Sequence, residues 1–563
     1  MLKMKKRNVL LAGASLTLLG VLAACGSNDN ADNSGKSADS DSGSGKKSTI
    51  SATVYDRGLI AASEGTMEKN RWTQWINENS PTNVKFTAVP RTESKQKLNT
   101  LFASGSAPDL IFEFDPNIKN PLYDQKQLMP LDDMINQYST TYKKLLEDNP
   151  ILKQAALKSD GKMYEFGKLN EAIPQNVIVI RQDWLDKLKL TAPKTTEELY
   201  QVAKAFALQD PDGNGQKDTY GLNIGPGITD IFGGTGINNS YVDENGKLVR
   251  IWDNFKEYIT FAKRLYDEGI IDKDYITDNN GAKARQDFLN GKTGIYFVQA
   301  NTNMWNRLWI TDYATLKANV PEANLEIVPN PKSSFGQYTV WINNPVQMTA
   351  VVNRNAKDPK AVMEYIDFLS TPETGRTLTN GLEGTHWQAG PTGCPNPIDQ
   401  EKNKTELGYL GTDYNMIFSV VSGGKCSFLA SSFNPDKPDE KLAKDKFKEN
   451  MDILYNMIDQ GAKFPGLTHV EHLPTVPQDL LVDFQNANTE IGNLITKAIV
   501  SGASYTPDKA ISEMQGLWKK FNGEKIDAFY QEWYTANKDT ALMPDDIFQI
   551  VKDQKATQEE ILK

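Results

Sequence analysis

Past residue 48 the chain alternates between two hydrophobic periods. Residues 49–55 form a short β-rich run, and residues 84–89 alternate apolar and polar positions as a half-buried strand does. Between them Trp72, Trp75 and Ile76 fall at helical spacing in 68–77. Residues 93–102 are helical again and lead to the apolar run 109–114. This β-α-β-α-β order predicts an α/β sheet with parallel strands and helices on its faces. Later helices have readable ends. The helix at 195–207 takes Thr195 as N-cap and Glu198 at its third position, a capping box. The helix at 253–268 starts from an Asp cap and stops at Gly269, and Asp358-Pro359 opens the helix at 361–369. Strands are expected at 177–180, 293–298 and 346–352. No repeat of 20–50 residues and no second low-complexity linker interrupts this order, which predicts one α/β body whose lobes share the chain.

The first fifty residues follow another pattern. Residues 1–7 carry four cations and no acid, and an apolar run covers 9–24 with only Ser15 and Thr17 hydroxylated. That is a secretory signal, shorter than the ~20 residues of a spanning helix. It ends in Leu22-Ala23-Ala24-Cys25-Gly26, which resembles the bacterial lipobox, where the cysteine thiol takes a diacylglyceryl group. Each buried acyl CH₂ is worth ~0.8 kcal/mol, so two or more chains anchor stably. Residues 26–48 hold Ser, Gly, Asn, Asp and Lys without a large apolar side chain, the composition of a flexible tether reaching ~25 Å. The working part is therefore expected outside the cell, lipid-anchored on the outer face of the membrane; the family resemblance given below implies a Gram-positive one.

Charge and cysteines narrow the function. Loss of Lys3, Lys5, Lys6 and Arg7 with the signal moves the formal charge from −10 to −14. An acidic exported chain without a basic cluster argues against a nucleic-acid partner. With Cys25 lipidated, Cys394 and Cys426 remain. They either pair in an oxidising compartment or stay as separate thiols, and the sequence leaves both open.

The sharpest local motif is Asp210-Pro211-Asp212-Gly213-Asn214-Gly215-Gln216-Lys217-Asp218. Oxygen side chains at positions 1, 3, 5 and 9, glycine at 6 and a backbone carbonyl at 7 (Gln216) are the spacing by which a loop wraps calcium. Position 12 is Gly221 in place of a bidentate Glu, so the last ligands must come from water or elsewhere. A structural calcium is expected, pinning a loop after a helix.

Enzyme motifs are weak. Gly291-Lys292-Thr293 lacks the glycine a phosphate loop needs five residues earlier, where Gln286 stands, and no Gly-x-Ser-x-Gly elbow occurs in the folded part. His469 and His472 match zinc spacing poorly and read as a surface loop. Glu113 with Asp115, or either with Glu383, supplies the carboxylate types of a glycosidase, but the same groups accept sugar hydroxyls in a binding cleft.

Six segments together carry a family resemblance. They are Leu101-Phe102-Ala103-Ser104-Gly105-Ser106-Ala107-Pro108-Asp109, Arg181-Gln182-Asp183-Trp184-Leu185-Asp186-Lys187-Leu188, Leu265-Tyr266-Asp267-Glu268-Gly269-Ile270-Ile271-Asp272, Phe288-Leu289-Asn290-Gly291-Lys292-Thr293-Gly294-Ile295, Gly381-Leu382-Glu383-Gly384-Thr385-His386-Trp387 and Ile495-Thr496-Lys497-Ala498-Ile499-Val500. In this order, behind a lipobox, the chain resembles extracellular solute-binding proteins of the large sugar-binding class, particularly LplA-like lipoproteins and alginate-binding proteins. The resemblance implies a type II periplasmic-binding-protein-like fold, two α/β lobes joined by a hinge with ligand in the cleft between them. It places chain crossings near 171–178 and 339–348. Its implied division is signal peptide 1–24, lipidated Cys and tether 25–48, first lobe 49–172, second lobe 173–345, a return to the first lobe over 346–430, and completion of the second lobe with C-terminal helices over 431–563.

It also implies a monomeric, non-enzymatic captor of a carbohydrate that hands its cargo to ABC permease subunits, with a peptide or other polar solute, or a surface glycoside hydrolase, as alternatives. Sugars need aromatic plates and planar polar groups. The candidates sit in loops after expected strands: Tyr55, Arg57, Glu113, Trp305, Arg307, Glu383, His386 and Trp387, with Trp305 and Trp387 as the stacking tryptophans.

Overall fold

The computed structural model describes residues 47–563, apart from 235, 237–239 and 412. The signal peptide, Cys25 and the tether as far as residue 46 lie outside the described residues. Among the described residues no helix is long and apolar enough to cross a membrane.

Eleven strands build the parts that matter here. They are β1 (Thr49–Asp56), β2 (Asn83–Pro90), β3 (Leu110–Phe112), β4 (Glu165–Leu169), β5 (Asn176–Arg181), β6 (Tyr220–Leu222), β7 (Tyr241–Glu244), β8 (Lys247–Arg250), β9 (Thr293–Gln299), β10 (Leu325–Val328) and β11 (Val346–Val352). The first sheet has the order β2-β1-β3-β11-β4, and the second β10-β5-β9-β6, while β7 and β8 form a hairpin. β1, β2 and β3 are parallel, and β11 runs antiparallel to both β3 and β4. In the second sheet β5 is antiparallel to β10 and β9, and β6 is parallel to β9. Short apolar strands such as Val-Ile-Val-Ile in β5 are buried on both faces, as a sheet covered by helices on both sides demands.

The chain passes between the sheets along two segments, 170–175 and 329–345, which lie against each other. Asn170 N–H donates to Pro345 O at 2.9 Å, Asn343 N–H to Ile173 O at 2.8 Å and Gln175 N–H to Trp341 O at 2.7 Å. A third segment joins them, since Thr339 N–H donates to Lys463 O and Lys463 N–H to Gln337 O, both at 2.8 Å. Backbone groups left over are met by the C-terminal helix Pro544–Leu562: Gln554 Oε1 accepts from Ala172 N–H at 2.8 Å and its amide donates to Asn170 O at 3.0 Å. A buried crossing needs such partners, because an unpaired peptide group away from water is costly.

The last third of the chain is divided between the two cores. Helices Gln478–Val500, Pro507–Lys520 and Gly523–Asn537 join the second sheet's core through Phe484, Met514, Trp518 and Ile526, packing on helix Trp252–Asp267 and on β8. Helices Pro438–Asp459 and Pro544–Leu562 instead join, through Phe447, Met451, Ile547 and Val551, a core that takes residues from both sheets, Val351 and Phe112 of the first and Val179, Val298 and Leu325 of the second. Residues 431–563 thus serve both bodies and do not simply complete the second.

Helix ends follow the local chemistry with two departures. Thr195 caps Thr196–Leu208 by accepting from Glu198 N–H at 3.2 Å, but the Glu198 carboxylate reaches Lys194 N–H at 2.7 Å, one residue outside the expected capping box. The helix expected to start at an Asp cap is Trp252–Asp267, so Asp253 lies inside its first turn, where an acid favours the dipole.

Candidate functional site

β3 and β4 both run antiparallel to β11, so β1, β3 and β4 all end at the crossing segments. β9 returns to the same place, since Ala300 N–H donates to Gln175 O at 2.7 Å, and β6 runs beside it. Carboxyl ends of strands from both sheets therefore face the gap between the lobes, where open α/β sheets bind ligands.

At the end of β1 and β3 the structure brings together three of the residues singled out in the sequence. The Tyr55 hydroxyl donates to Glu113 Oε1, which also accepts from Asp115 N–H at 2.8 Å. Glu113 is fully buried and its Oε2 has no partner among the described residues. Tyr55 stacks on half-buried Phe114 with ring centroids 5.9 Å apart, under the Arg91 and Arg57 guanidiniums at 4.8 and 5.6 Å from its ring. Burial and then the Glu113 charge push the Tyr55 hydroxyl far above its ordinary range, so it stays a donor. Arg57 forks onto Asp413, and this bond is the leading reason its guanidinium holds its proton more firmly. Asp413 had no signal in the sequence: it lies in an irregular segment far along the chain.

The remaining candidates are placed elsewhere. Trp305 is fully buried, donates its Nε1–H to Ala443 O at 3.0 Å and packs on Trp309 and Phe447. It is a core residue and not a stacking plate, because the segment after β9 turns inward as helix Thr302–Asn306. Trp387 is also buried, with Nε1–H donating to Gly381 O at 3.0 Å. His386 Nδ1 accepts from Leu382 N–H and Nε2 meets Glu406 at 2.9 Å, so both rings organise their own turn. Gly381 is required there: its φ is 78°, and a Cβ would sit 2.6 Å from the His386 ring. Glu383 is exposed in the same turn. Arg307 lies 3.6 Å from Asp312 and lines a cavity of about 370 Å³ beside β6 and β9, with Tyr275, Tyr296 and Gln299.

The histidines expected in a surface loop are at the crossings. His469 is buried against Trp341 and Phe464, and His472 contacts Asn344 Oδ1 at 3.0 Å. Burial lowers them to about 3 and about 4, so both are neutral at physiological pH. Cys394 and Cys426 form a disulfide that closes the stretch containing Asp413 and Glu406.

In the calcium-type loop Asp210 accepts from the Gly213 and Gly215 N–H groups, both at 3.1 Å, and the Asn214 amide bridges Asp212 (2.8 Å) and Asp218 (3.2 Å). Asp218 also pairs with Lys292 at 3.1 Å. The donors are hard oxygens of the right type, yet among the described residues no three acidic, His or Cys side chains converge on one point that would hold a metal.

The glycosidase alternative finds its carboxylates engaged. Asp115 caps helix Pro116–Asp124 through Asn117 N–H at 2.8 Å, Glu113 is tied to Tyr55, and Glu383 lies on a separate turn.

Known proteins place this geometry. The chain is 28% identical over 396 residues to the polygalacturonan/rhamnogalacturonan-binding protein YtcQ of Bacillus subtilis (strain 168), covering 68% of this chain and 75% of that one. It is 28% identical over 372 residues to lipoprotein LipO of the same organism, covering 62% and 69%. The alginate-binding protein AlgQ2, solved without calcium ion, shares the fold with a TM-score of 0.60 at 20% identity, over 87% of this chain and 98% of that one. The model for bacterial extracellular solute-binding protein matches residues 66–376, more than half of the sequence. With two lobes, a hinge of paired crossings and a cleft at strand ends, the chain belongs to the bacterial extracellular solute-binding protein family, whose members bind a solute and do not turn it over.

Proposed function

We propose that this protein is the extracellular substrate-binding subunit of an ABC importer, held to the membrane by a lipid on Cys25, and that its cargo is an oligosaccharide. The carrying observation is the group at the ends of β1 and β3: the half-buried Phe114 ring, backed by the fully buried Tyr55–Glu113 pair, beside the exposed Arg57 and its fork onto Asp413. Aromatic faces take the C–H side of a sugar, and charged planar groups orient its hydroxyls. The relatives named for polygalacturonan, rhamnogalacturonan and alginate support a saccharide over a peptide.

Ligand touching both lobes favours a closed form by its differential affinity, and the closed form docks on the permease. Arg307 and the cavity beside it form the second lobe's share of the site in this reading. The protein acts as a monomer. A structural calcium belongs in the loop at 210–218, whose carboxylates Asp210, Asp212 and Asp218 would draw together around a divalent cation. Phe114→Ala tests the site with little damage to the core: oligosaccharide affinity falls about tenfold, ~1.4 kcal/mol, and unchanged affinity contradicts the assignment.

A further inference from the structure

Two carboxylates sit on the chain crossings without a cation. Asp230, 6% exposed, lies in the turn Asp230–Phe232 after β6, and half-buried Glu171 belongs to the first crossing itself. Their hydrogen-bond partners among the described residues are amides alone. Asp230 Oδ2 accepts from Trp341 N–H at 2.9 Å and from the Asn176 amide at 3.0 Å. One oxygen thus holds the second crossing and the point where the first enters β5. Glu171 Oε2 accepts from Leu429 N–H at 2.8 Å, and its Oε1 from the Gln558 amide at 3.1 Å. That fixes the first crossing to the turn Leu429–Ser432 and to the C-terminal helix.

The charged groups on neighbouring elements are turned to other partners. Beside Asp230, Tyr338 lies against Gly233, and helix Trp252–Asp267 directs Glu257 to Ser334 and Lys256 to Asp508. Lys463 gives its ammonium to Phe335 O at 3.0 Å. Around Glu171, helix Pro438–Asp459 brings the Tyr455 hydroxyl, which donates to Gln558 Oε1. Lys555 of the C-terminal helix lies over the Tyr455 ring at 4.6 Å and pairs with Glu559 at 3.8 Å. His469 and His472, packed on the second crossing, are held by burial to about 3 and about 4 and stay neutral in mild acid. An ionised carboxylate kept from water without a counter-charge is costly. Burial therefore pushes Asp230 up to about 6 and Glu171 up to about 7, and their hydrogen bonds offset only part of it.

Linkage fixes the direction of the effect. A carboxyl whose pKa is raised in one arrangement favours that arrangement when protonated and opposes it when ionised. We propose that Asp230 and Glu171 form an acid-sensitive brake on the hinge: ionised, they push the crossings towards arrangements in which water reaches them, and protonated, they hold the lobes as they stand here. This rests on the two-lobe capture reading above and adds its regulation. At neutral pH the hinge gains mobility at a cost in stability, as moving elements do. In mild acid it stiffens, and opening to exchange cargo slows. The two histidines act in the opposite sense, because acid charges them once they are exposed. The carboxylates must therefore be isolated by substitution.

The test is hydrogen–deuterium exchange of the purified, sugar-free protein at pH 5 and pH 8, with each rate divided by the intrinsic chemical rate. Wild type is set against Asp230→Asn, Glu171→Gln and the double variant, which keep the acceptor oxygens and remove the charge. At pH 8, residues 170–175 and 337–344 should exchange at least about fivefold faster in wild type than in the double variant. At pH 5 the two proteins should converge, and helix Pro507–Lys520 should match in both at either pH. The single variants apportion the difference, and the melting temperature of each at pH 8 should equal or exceed that of wild type. No difference at pH 8, or a difference that persists unchanged at pH 5, overturns the brake. Faster exchange and lower melting in the variants would overturn it too and make the carboxylates structural clips. Because no sugar is used, each of these results leaves sugar capture standing.

Discussion

Arg57 and Asp413 meet as a two-pronged pair across 356 residues of sequence, Nε to Oδ2 at 2.7 Å and Nη2 to Oδ1 at 2.9 Å. The arginine side chain is 37% exposed and the aspartate 5%. Such a half-exposed fork adds only ~0.5–1 kcal/mol to stability, and in the proposed function its role is to hold two planar groups in place for the ligand. Arg57→Lys keeps the charge and removes the fork. The expected outcome is a melting temperature within about two degrees of wild type and ligand affinity reduced roughly tenfold. A large stability loss with unchanged affinity would make the pair a structural clamp.

Asp413 reaches Arg57 from a segment closed by the Cys394–Cys426 disulfide, whose cysteines are 32 residues apart. Closing a loop of that length removes about 3–4 kcal/mol of unfolded-chain entropy. Changing both cysteines to Ala is expected to lower the melting temperature by several degrees. Reducing agent should do the same to wild type and nothing further to the variant.

Calcium can be tested at the loop itself. Dialysis against EDTA should lower the melting temperature, and added calcium should restore it, while magnesium, which demands stricter octahedral geometry, should not. Asp212→Ala should abolish the calcium response without abolishing sugar binding.

Acid sensitivity has a specific source. Burial alone pushes Glu165 up, but Lys119 and Lys158 outweigh it and hold the carboxyl down to about 2, from an ordinary 4.5. A carboxyl depressed in the folded state stabilises above its unfolded pKa, and that stability is lost as pH falls from about 4.5 towards 2. Glu165→Gln should cost ~3–5 kcal/mol at neutral pH by leaving the buried Lys119 ammonium and the half-buried Lys158 ammonium without their counter-charge. It should also flatten the acid limb of the stability curve, read from melting temperatures between pH 2 and 7.

Much of the fold was legible because it depends on local rules. The runs at 177–180, 293–298 and 346–352 became β5, β9 and β11, since continuous β-branched stretches suit sheets covered on both faces. β6 was missed because three residues of Tyr-Gly-Leu carry no period. The site was half legible. Tyr55, Arg57 and Glu113 lie at or just past the ends of β1 and β3, where the strand-end rule looks, and of the three Tyr55 and Glu113 are buried. Trp305 follows β9 and Trp387 follows helix Pro372–Asn380, but indole size suits a core as well as a sugar, and both side chains are buried. Asp413 could not be found from sequence, since only the folded chain sets it beside Arg57.

The most direct test of the account is a thermal-shift and calorimetric screen of the purified protein against oligosaccharides, followed by chromatography of the recovered sugar. A ligand that binds only the folded state adds ~2.7 kcal/mol at a hundredfold excess over Kd. The account predicts a clear shift with at least one oligosaccharide, recovered at its original length. Shortened sugar, or no response to any saccharide alongside a response to a peptide, would contradict it.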